Sequence, residues 1–442
     1  MQKVMQKALR VLKADDLKLL QYLYLYRTLT LEQAFSLIYH LTAAQARKRS
    51  AVLKRLLDVQ VIELVEYLPQ THALFLTTLG INIVRQTKEI PQEIFDEDAQ
   101  VVKRGYYRAS ELKMRKTLIN HQVTKNDFFF KFRQLINSPA FQAELKQLHI
   151  PLHYQYFDEK YLTAYVLMRP DAVLHIGDTD FFIEEDMATE SSRQLIEKWN
   201  HYRMFMETAE FYNRENRIVV LFLTDNITKP KNIQKRQHLV QYTLITSLLD
   251  KIKTGFDVYI GTQTEILQAM PQIIKNLYFK GEKEQVLLPV LQNLGFKVSS
   301  AFNLLAYTNQ EEYDYYIRQS DPQQNLLLVN QRAQEFFVDL MPENFSSLAI
   351  WHKIQFHRNN DYLFRKHFGR PLQYLLVIHP QQEATLWQNL QLLKAGDDAN
   401  LFFTTIERLQ TQLLPQALFR FDQRGVKYHF YDAELVRRIY EE

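Results

Sequence analysis

The chain has no cysteine. That removes disulfides, thiolate zinc sites and a cysteine nucleophile, and it fits a reducing compartment. Only 10 of its 442 residues are glycine, so glycine-rich phosphate loops have little to be built from. Neither G-x-G-x-x-G nor G-x-x-x-x-G-K-[ST] occurs, which argues against a nucleotide-driven motor. No stretch approaches the roughly 20 apolar residues that a membrane span needs. Residues 1–13 carry Lys3, Lys7, Arg10 and Lys13 among apolar residues and lack the unbroken apolar run of a secretory signal. A cytoplasmic protein with no membrane partner is expected.

Hydrophobic residues make up 46% and charged residues 24%, the balance of a soluble globular protein. The length calls for two to four domains. The net charge of +4 is unevenly spread, because residues 1–90 hold 13 Lys and Arg against 7 Asp and Glu. A basic end on a near-neutral body points to one region that meets an anionic partner.

Within that end, Asp15 to Tyr26 reads as a helix through Leu19, Leu20 and Leu23. Thr30 caps a second helix, Leu31 to Tyr39, and Thr42 a third, Ala43 to Val59. Leu53, Leu56 and Leu57 form the expected inward stripe of the third. Apolar runs Val61 to Leu68 and Ala73 to Thr77 flank Pro69-Gln70-Thr71-His72, a hairpin pattern. Three helices and a hairpin is the winged helix-turn-helix layout, whose third helix enters the major groove. Gln45, Arg47, Lys48, Arg49, Lys54 and Arg55 are its candidate contacts, with Gln70 and His72 on the hairpin, and double-stranded DNA is the expected partner. A basic but solvated helix in a protein-binding winged helix is the alternative. Polar residues 88–103 read as an exposed connector, and residues 110–136 return to helical spacing. His121 on that helix reads as a packing or capping residue.

Leu152 to Phe157, Tyr161 to Met168 and Ala172 to Ile176 read as strands, and Phe181 to Glu185 as the partner of the last across Gly177-Asp178-Thr179-Asp180. Alternation puts Glu184 and Asp186 on one face, with Asp171 beside them across the hairpin. Three converging carboxylates suit Mg²⁺, a hard ion that prefers oxygen ligands and can activate a water against a phosphodiester. A helix from Ser191 places Lys198 and Tyr202 on the face that holds Leu195 and Trp199. Strand Ile218 to Leu223, helix Asn232 to Lys253 and strand Phe256 to Ile260 complete an α/β unit.

The block occurs twice. Phe336-Phe337-Val338-Asp339 through Lys353 aligns gap-free with Phe181-Phe182-Ile183-Glu184 through Lys198 at an offset of 155 positions. At that offset Glu184 meets Asp339, Lys198 meets Lys353 and Tyr202 meets His357, while Asp171 meets Leu326 and Asp186 meets Met341. The acid–lysine pair recurs, as a structural ion pair between strand and helix would. Asp171 and Asp186 are peculiar to the first copy, and the second is expected to be a degenerate scaffold or docking surface.

Pro170-Asp171, Glu184-x-Asp186, Lys198 and Tyr202 resemble the PD-(D/E)xK nuclease superfamily, except that Asp186 stands where lysine is usual. More specifically, the first half of the chain resembles the replication-relaxation family of bacterial plasmid and conjugative-element proteins. The carrying residues are Ala46-Arg47-Lys48-Arg49, Leu76-Thr77-Thr78-Leu79-Gly80, His121 to Asn126-Asp127, Arg169-Pro170-Asp171-Ala172, Glu184-x-Asp186 and Thr189-Glu190 with Lys198 and Tyr202. The resemblance implies a DNA-binding accessory of plasmid replication, relaxation or transfer, with replication or transfer proteins and further copies of the chain as candidate partners. Alternatives are a Mg²⁺-dependent endonuclease or nickase, with Asp171, Glu184, Asp186, Lys198 and Tyr202 as catalytic candidates, and a winged-helix transcriptional regulator. The expected architecture is α/β with a winged helix (1–95), a helical connector (96–145), a PD-(D/E)xK nuclease-like domain (146–285) and its degenerate second copy (286–442).

Overall fold

The computed structural model describes residues 2–95, 101–224, 230–248, 255–278, 281–301, 313–319, 334–341, 347–383, 386–387, 390, 400–422 and 424–429. The protein is a mixed α/β chain with several sheets. It divides into two compact units, residues 1–138 with 158–161, and residues 139–157 with 162–442. Among the described residues no helix is long and apolar enough to cross a membrane.

The first unit runs α1 (Gln2–Val11), α2 (Ala14–Tyr26), β1 (Leu29–Thr30), α3 (Leu31–Leu37), α4 (Ala46–Asp58), β2 (Ile62–Leu68), β3 (Thr71–Leu76), α5 (Thr78–Thr87), β4 (Glu93–Phe95), β5 (Val101–Arg104), α6 (Ala109–Leu112) and α7 (Lys116–Ile136). Its three-stranded sheet has the order β1-β3-β2. Local chemistry sets the boundaries. Thr30 and Gln33 cap α3 reciprocally at 3.0 Å, the capping-box geometry. Thr77 accepts the Gly80 N–H at 3.1 Å and starts α5. The inward stripe of α4 is Val52 and the expected Leu56, with the expected Leu53 and Leu57 only half-buried beside it. A 3₁₀ turn at Ala43–Gln45 precedes the helix. The polar tip is shorter than expected, since Thr71 and His72 already pair with Leu68 and Glu66.

Helix α7 fastens this unit. Asn126, fully buried, donates to the carbonyls of Tyr26 at 3.1 Å and Thr28 at 2.8 Å, groups that the end of α2 leaves open. Lys125 and Gln122 both donate to Asp158 Oδ2, at 2.9 and 2.7 Å. Asp127 of the same motif makes a surface pair with Lys131 at 2.6 Å.

The second unit contains α8 (Pro139–Gln147), β6 (Tyr154–Asp158), β7 (Ala172–Ile176), β8 (Thr179–Glu185), α9 (Ser192–Met206), α10 (Ala209–Tyr212), β9 (Arg217–Leu223), α11 (Pro230–Leu248), β10 (Phe256–Gly261), α12 (Gln263–Tyr278) and α13 (Gly281–Asn293). It continues with β11 (Phe296–Ser300), β12 (Tyr315–Gln319), β13 (Glu335–Leu340), α14 (Ser347–Phe368), β14 (Gln373–Val377), β15 (Leu401–Thr404), α15 (Ile406–Thr411), α16 (Leu414–Ala417), β16 (Phe419–Phe421) and β17 (Lys427–His429). One sheet has the order β10-β9-β8-β7-β6 and the other β11-β12-β13-β14-β15-β16-β17. All seven residues of β8 are buried, as a central strand covered on both faces requires. Tyr161 to Met168 is not a strand. It is a loop in which Tyr165 and Met168 are buried, Tyr165 edge-on to Phe182 at 4.7 Å, while Val166 and Leu167 are exposed.

The two sheets repeat one pattern, an antiparallel hairpin followed by two parallel strands. Ala172 faces Ile183 across the first hairpin, and Tyr315 faces Val338 across the second. Glu184 lies beside Phe222 and Asp339 beside Leu376. The Asp186 N–H donates to Leu223 at 2.8 Å, and the Met341 N–H to Val377 at 2.9 Å. Thr262 and Thr405 each cap the helix after the last strand of their set. The shared register shows that a fixed offset fails before the hairpin. The residue before β7 is Asp171, and the residue before β12 is Asp314. Residues 320–334 join the second hairpin where Gly177-Asp178 join the first, so Asp314 and not Leu326 is the counterpart of Asp171. Leu326 lies outside the described residues, as does part of the expected helix Gln381 to Lys394.

Candidate functional site

The basic helix sorts its candidates into two groups. Arg55 reaches Asp16 with Nε and Nη2, both at 2.8 Å. Asp16 is fully buried and also accepts the Tyr39 hydroxyl at 2.7 Å and the Lys13 N–H at 2.8 Å. Burial pushes its carboxyl up, but these donors outweigh burial and hold it below the usual range. Arg49 grips Glu32 at 2.5 and 3.1 Å, donates to the Leu41 carbonyl at 2.8 Å and lies over the Phe35 ring. Gln45 folds back to accept the Thr42 N–H at 2.9 Å. These three side chains, expected to face DNA, tie α4 to its own unit. Acids on α2 and α3 recruit the arginines, a pairing that the helix spacing alone does not reveal.

Arg47, Lys48 and Lys54 are exposed, as are Ser50 and Ala51. Positions 47, 50, 51 and 54 share one helical face, with small residues in its middle and cations at both ends. On the hairpin, Gln70 is exposed at φ 59° and its N–H is held by Glu66 at 2.9 Å. His72 is half-buried opposite Glu66.

The acidic block is split in a similar way. Glu184, 5% exposed, accepts the Tyr202 hydroxyl at 2.5 Å and faces the Lys198 ammonium at 3.3 Å. Burial raises the Glu184 carboxyl, Lys198 opposes that, and the charge of Asp171 adds to it. Lys198 also pairs with Glu190 at 3.1 Å. Burial opposes its charge, but the surrounding carboxylates raise its pKa. Asp171 accepts the Glu185 N–H at 2.9 Å. Asp186 is elsewhere in its bonding: Arg236 on α11 grips it in a two-point contact at 2.6 and 2.7 Å, and the Ala188 N–H donates to it at 2.9 Å. The expected three-carboxylate cluster does not form. Among the described residues no group of three or more His, Asp or Glu is arranged to hold a metal ion. Mg²⁺ does not fit this donor set, because a guanidinium already occupies the two oxygens of Asp186. Apolar periodicity gives no sign of Arg236, although a buried Asp at a strand end calls for a cation somewhere.

The later sheet carries a parallel centre. Asp339 pairs with Lys353 at 3.0 Å. Burial pushes the Asp339 carboxyl up to about 6, Lys353 opposes this, and Asp314 adds through its charge and a side-chain hydrogen bond. His357, in Tyr202's place, stacks on Tyr374 at 3.7 Å, and burial with the nearby Lys353 charge holds its pKa well below the usual value. The second copy therefore keeps two acids and the lysine. Of the first copy's charged set, it lacks Asp186, replaced by Met341.

A mixed α/β protein with a locked basic helix and two acid–lysine centres is the class defined so far. The family model described as replication-relaxation matches residues 20–221, a span that holds both α4 and the first centre. Over that span the chain is similar to the replication-relaxation family, a likeness that suggests a role in plasmid or mobile-element replication or relaxation. No curated protein and no solved structure matches the chain.

Proposed function

We propose that the protein is a DNA-binding accessory of plasmid or mobile-element replication, relaxation or transfer. The observation that carries this reading is the exposed face of α4: Arg47, Lys48 and Lys54 surround Ser50 and Ala51 on a helix clamped by Arg49–Glu32 and Arg55–Asp16. The element order and the β1-β3-β2 sheet support a winged helix-turn-helix, with α4 as the groove-entering helix. Small central residues let that helix approach base edges, and flanking cations meet phosphates. The hairpin-then-parallel sheets with acid–lysine pairs support a PD-(D/E)xK-like domain and its duplicate. Their buried pairs serve as framework, since fold does not carry activity with it. The test incubates purified protein with supercoiled plasmid and Mg²⁺ or Mn²⁺, beside Asp171→Ala/Glu184→Ala. Intact plasmid in a shifted complex that weakens with salt is expected. Nicking by the parent and not by the variant would overturn the non-enzymatic reading in favour of a nickase.

A further inference from the structure

Helix α1 carries a second cationic face. Lys3, Lys7 and Arg10 are exposed and follow i, i+4, i+7 spacing, so they form one stripe along the helix. The helix has no acidic residue. Among the described residues none of the three cations makes an ion pair, whereas Arg27, Arg49, Arg55 and Arg104 of the same unit all do. Ala8, on another face, is buried and packs into the unit.

The hairpin makes this stripe informative. A winged helix usually adds phosphate contacts through its wing, yet residues 62–76 contain no Lys or Arg and do contain Glu63 and Glu66. Leu68 at the tip is 45% exposed. The wing brings no cation of its own, and Glu63 is already paired with Lys113 at 2.8 Å, so charge complementary to a duplex beyond α4 comes from another element.

We propose that the outward face of α1, through Lys3, Lys7 and Arg10, is a further binding surface for the backbone phosphates of double-stranded DNA. This rests on the DNA-binding reading of α4. An anionic membrane surface is the rival partner of a basic helix. The structure favours DNA, because the stripe is flanked only by Val4 and Val11 as exposed apolar residues, while Met5 and Leu9 of the helix are partly buried on another face and no aromatic side chain is there to enter a bilayer.

The test measures binding of the full chain to a mixed-sequence duplex at several salt concentrations, for the parent and for Lys3→Gln/Lys7→Gln/Arg10→Gln. Neutralising one phosphate-binding cation flattens the slope of log affinity against log salt by about 0.9, so a drop of roughly 2 to 3 is expected, with sequence preference unchanged. Lys3→Arg/Lys7→Arg should keep the parent slope, which separates charge from folding. Parent and triple variant with equal slopes would overturn the inference and leave α4 standing. A parent with no salt-sensitive binding would overturn both. Binding of the parent, but not the triple variant, to vesicles containing phosphatidylglycerol, with duplex slopes equal, would assign the stripe to membranes instead.

Discussion

At the scale of single residues, the arginines of α4 divide by what they touch. Arg55→Ala strands the buried carboxylate of Asp16, and breaking such a pair costs roughly 3 to 5 kcal/mol. Urea unfolding should show that loss, whereas Arg47→Ala, on the exposed face, should leave the midpoint in place and weaken DNA binding. Equal stability of the two variants would contradict the division. Asp339 gives a pH prediction. Its carboxyl sits at about 6 rather than 3.8, chiefly through burial, with Asp314 adding. A raised carboxyl means that the folded chain holds the proton more tightly than the unfolded chain. That stabilisation is complete below pH 3.8 and is lost as pH rises through about 6. Asp339→Asn cannot titrate, so its unfolding midpoint should lack this decline; parallel curves for the two proteins would refute the shift.

At the scale of elements, much is legible in the sequence because short-range chemistry decides it. Thr30 and Ser191 start helices where the sequence places them, each accepting a backbone N–H three residues on. The rest depends on packing or on distant partners. On α4 it is Val52 and Leu56 that are buried, and which of several apolar neighbours turns fully inward is decided by packing rather than by apolar spacing. The apolar run Tyr161 to Met168 looks like a strand by composition but finds no sheet neighbour. The motif Leu76-Thr77-Thr78-Leu79-Gly80 acquires a physical reason only in three dimensions. The Thr77 hydroxyl donates to the Gln60 carbonyl at 2.6 Å, and a Cβ on Gly80 would sit 2.3 Å from the Val61 carbonyl oxygen. Gly80→Ala should therefore force α5 away from the start of the hairpin and cost on the order of 2 kcal/mol. An unchanged melting temperature would show that the backbone relaxes freely there.

At the scale of the whole molecule, the repeated register is the larger lesson. The acid–lysine pairs are visible in the sequence because the strand and helix that hold them align without gaps. Asp314 is not, because the connection that separates it from Asp339 is longer than its counterpart and shifts every earlier residue. Arg236 is hidden for a related reason, as nothing in the chain order links α11 to the end of β8. Since each compact unit has its own core, calorimetry should resolve more than one transition. Arg55→Ala should lower one of them and Arg236→Ala, which strands Asp186, the other. A single transition shifted alike by both variants would contradict this.

The short excursion of residues 158–161 into the first unit has a practical outcome for anyone dissecting the protein. Lys125, 1% exposed, depends on Asp158 for its counter-charge, yet Asp158 is encoded after the second unit has begun. A fragment ended at Ser138 would lose the carboxylate to which both Lys125 and Gln122 donate and should come out of expression insoluble or protease-sensitive, whereas one carried through Tyr161 would keep it.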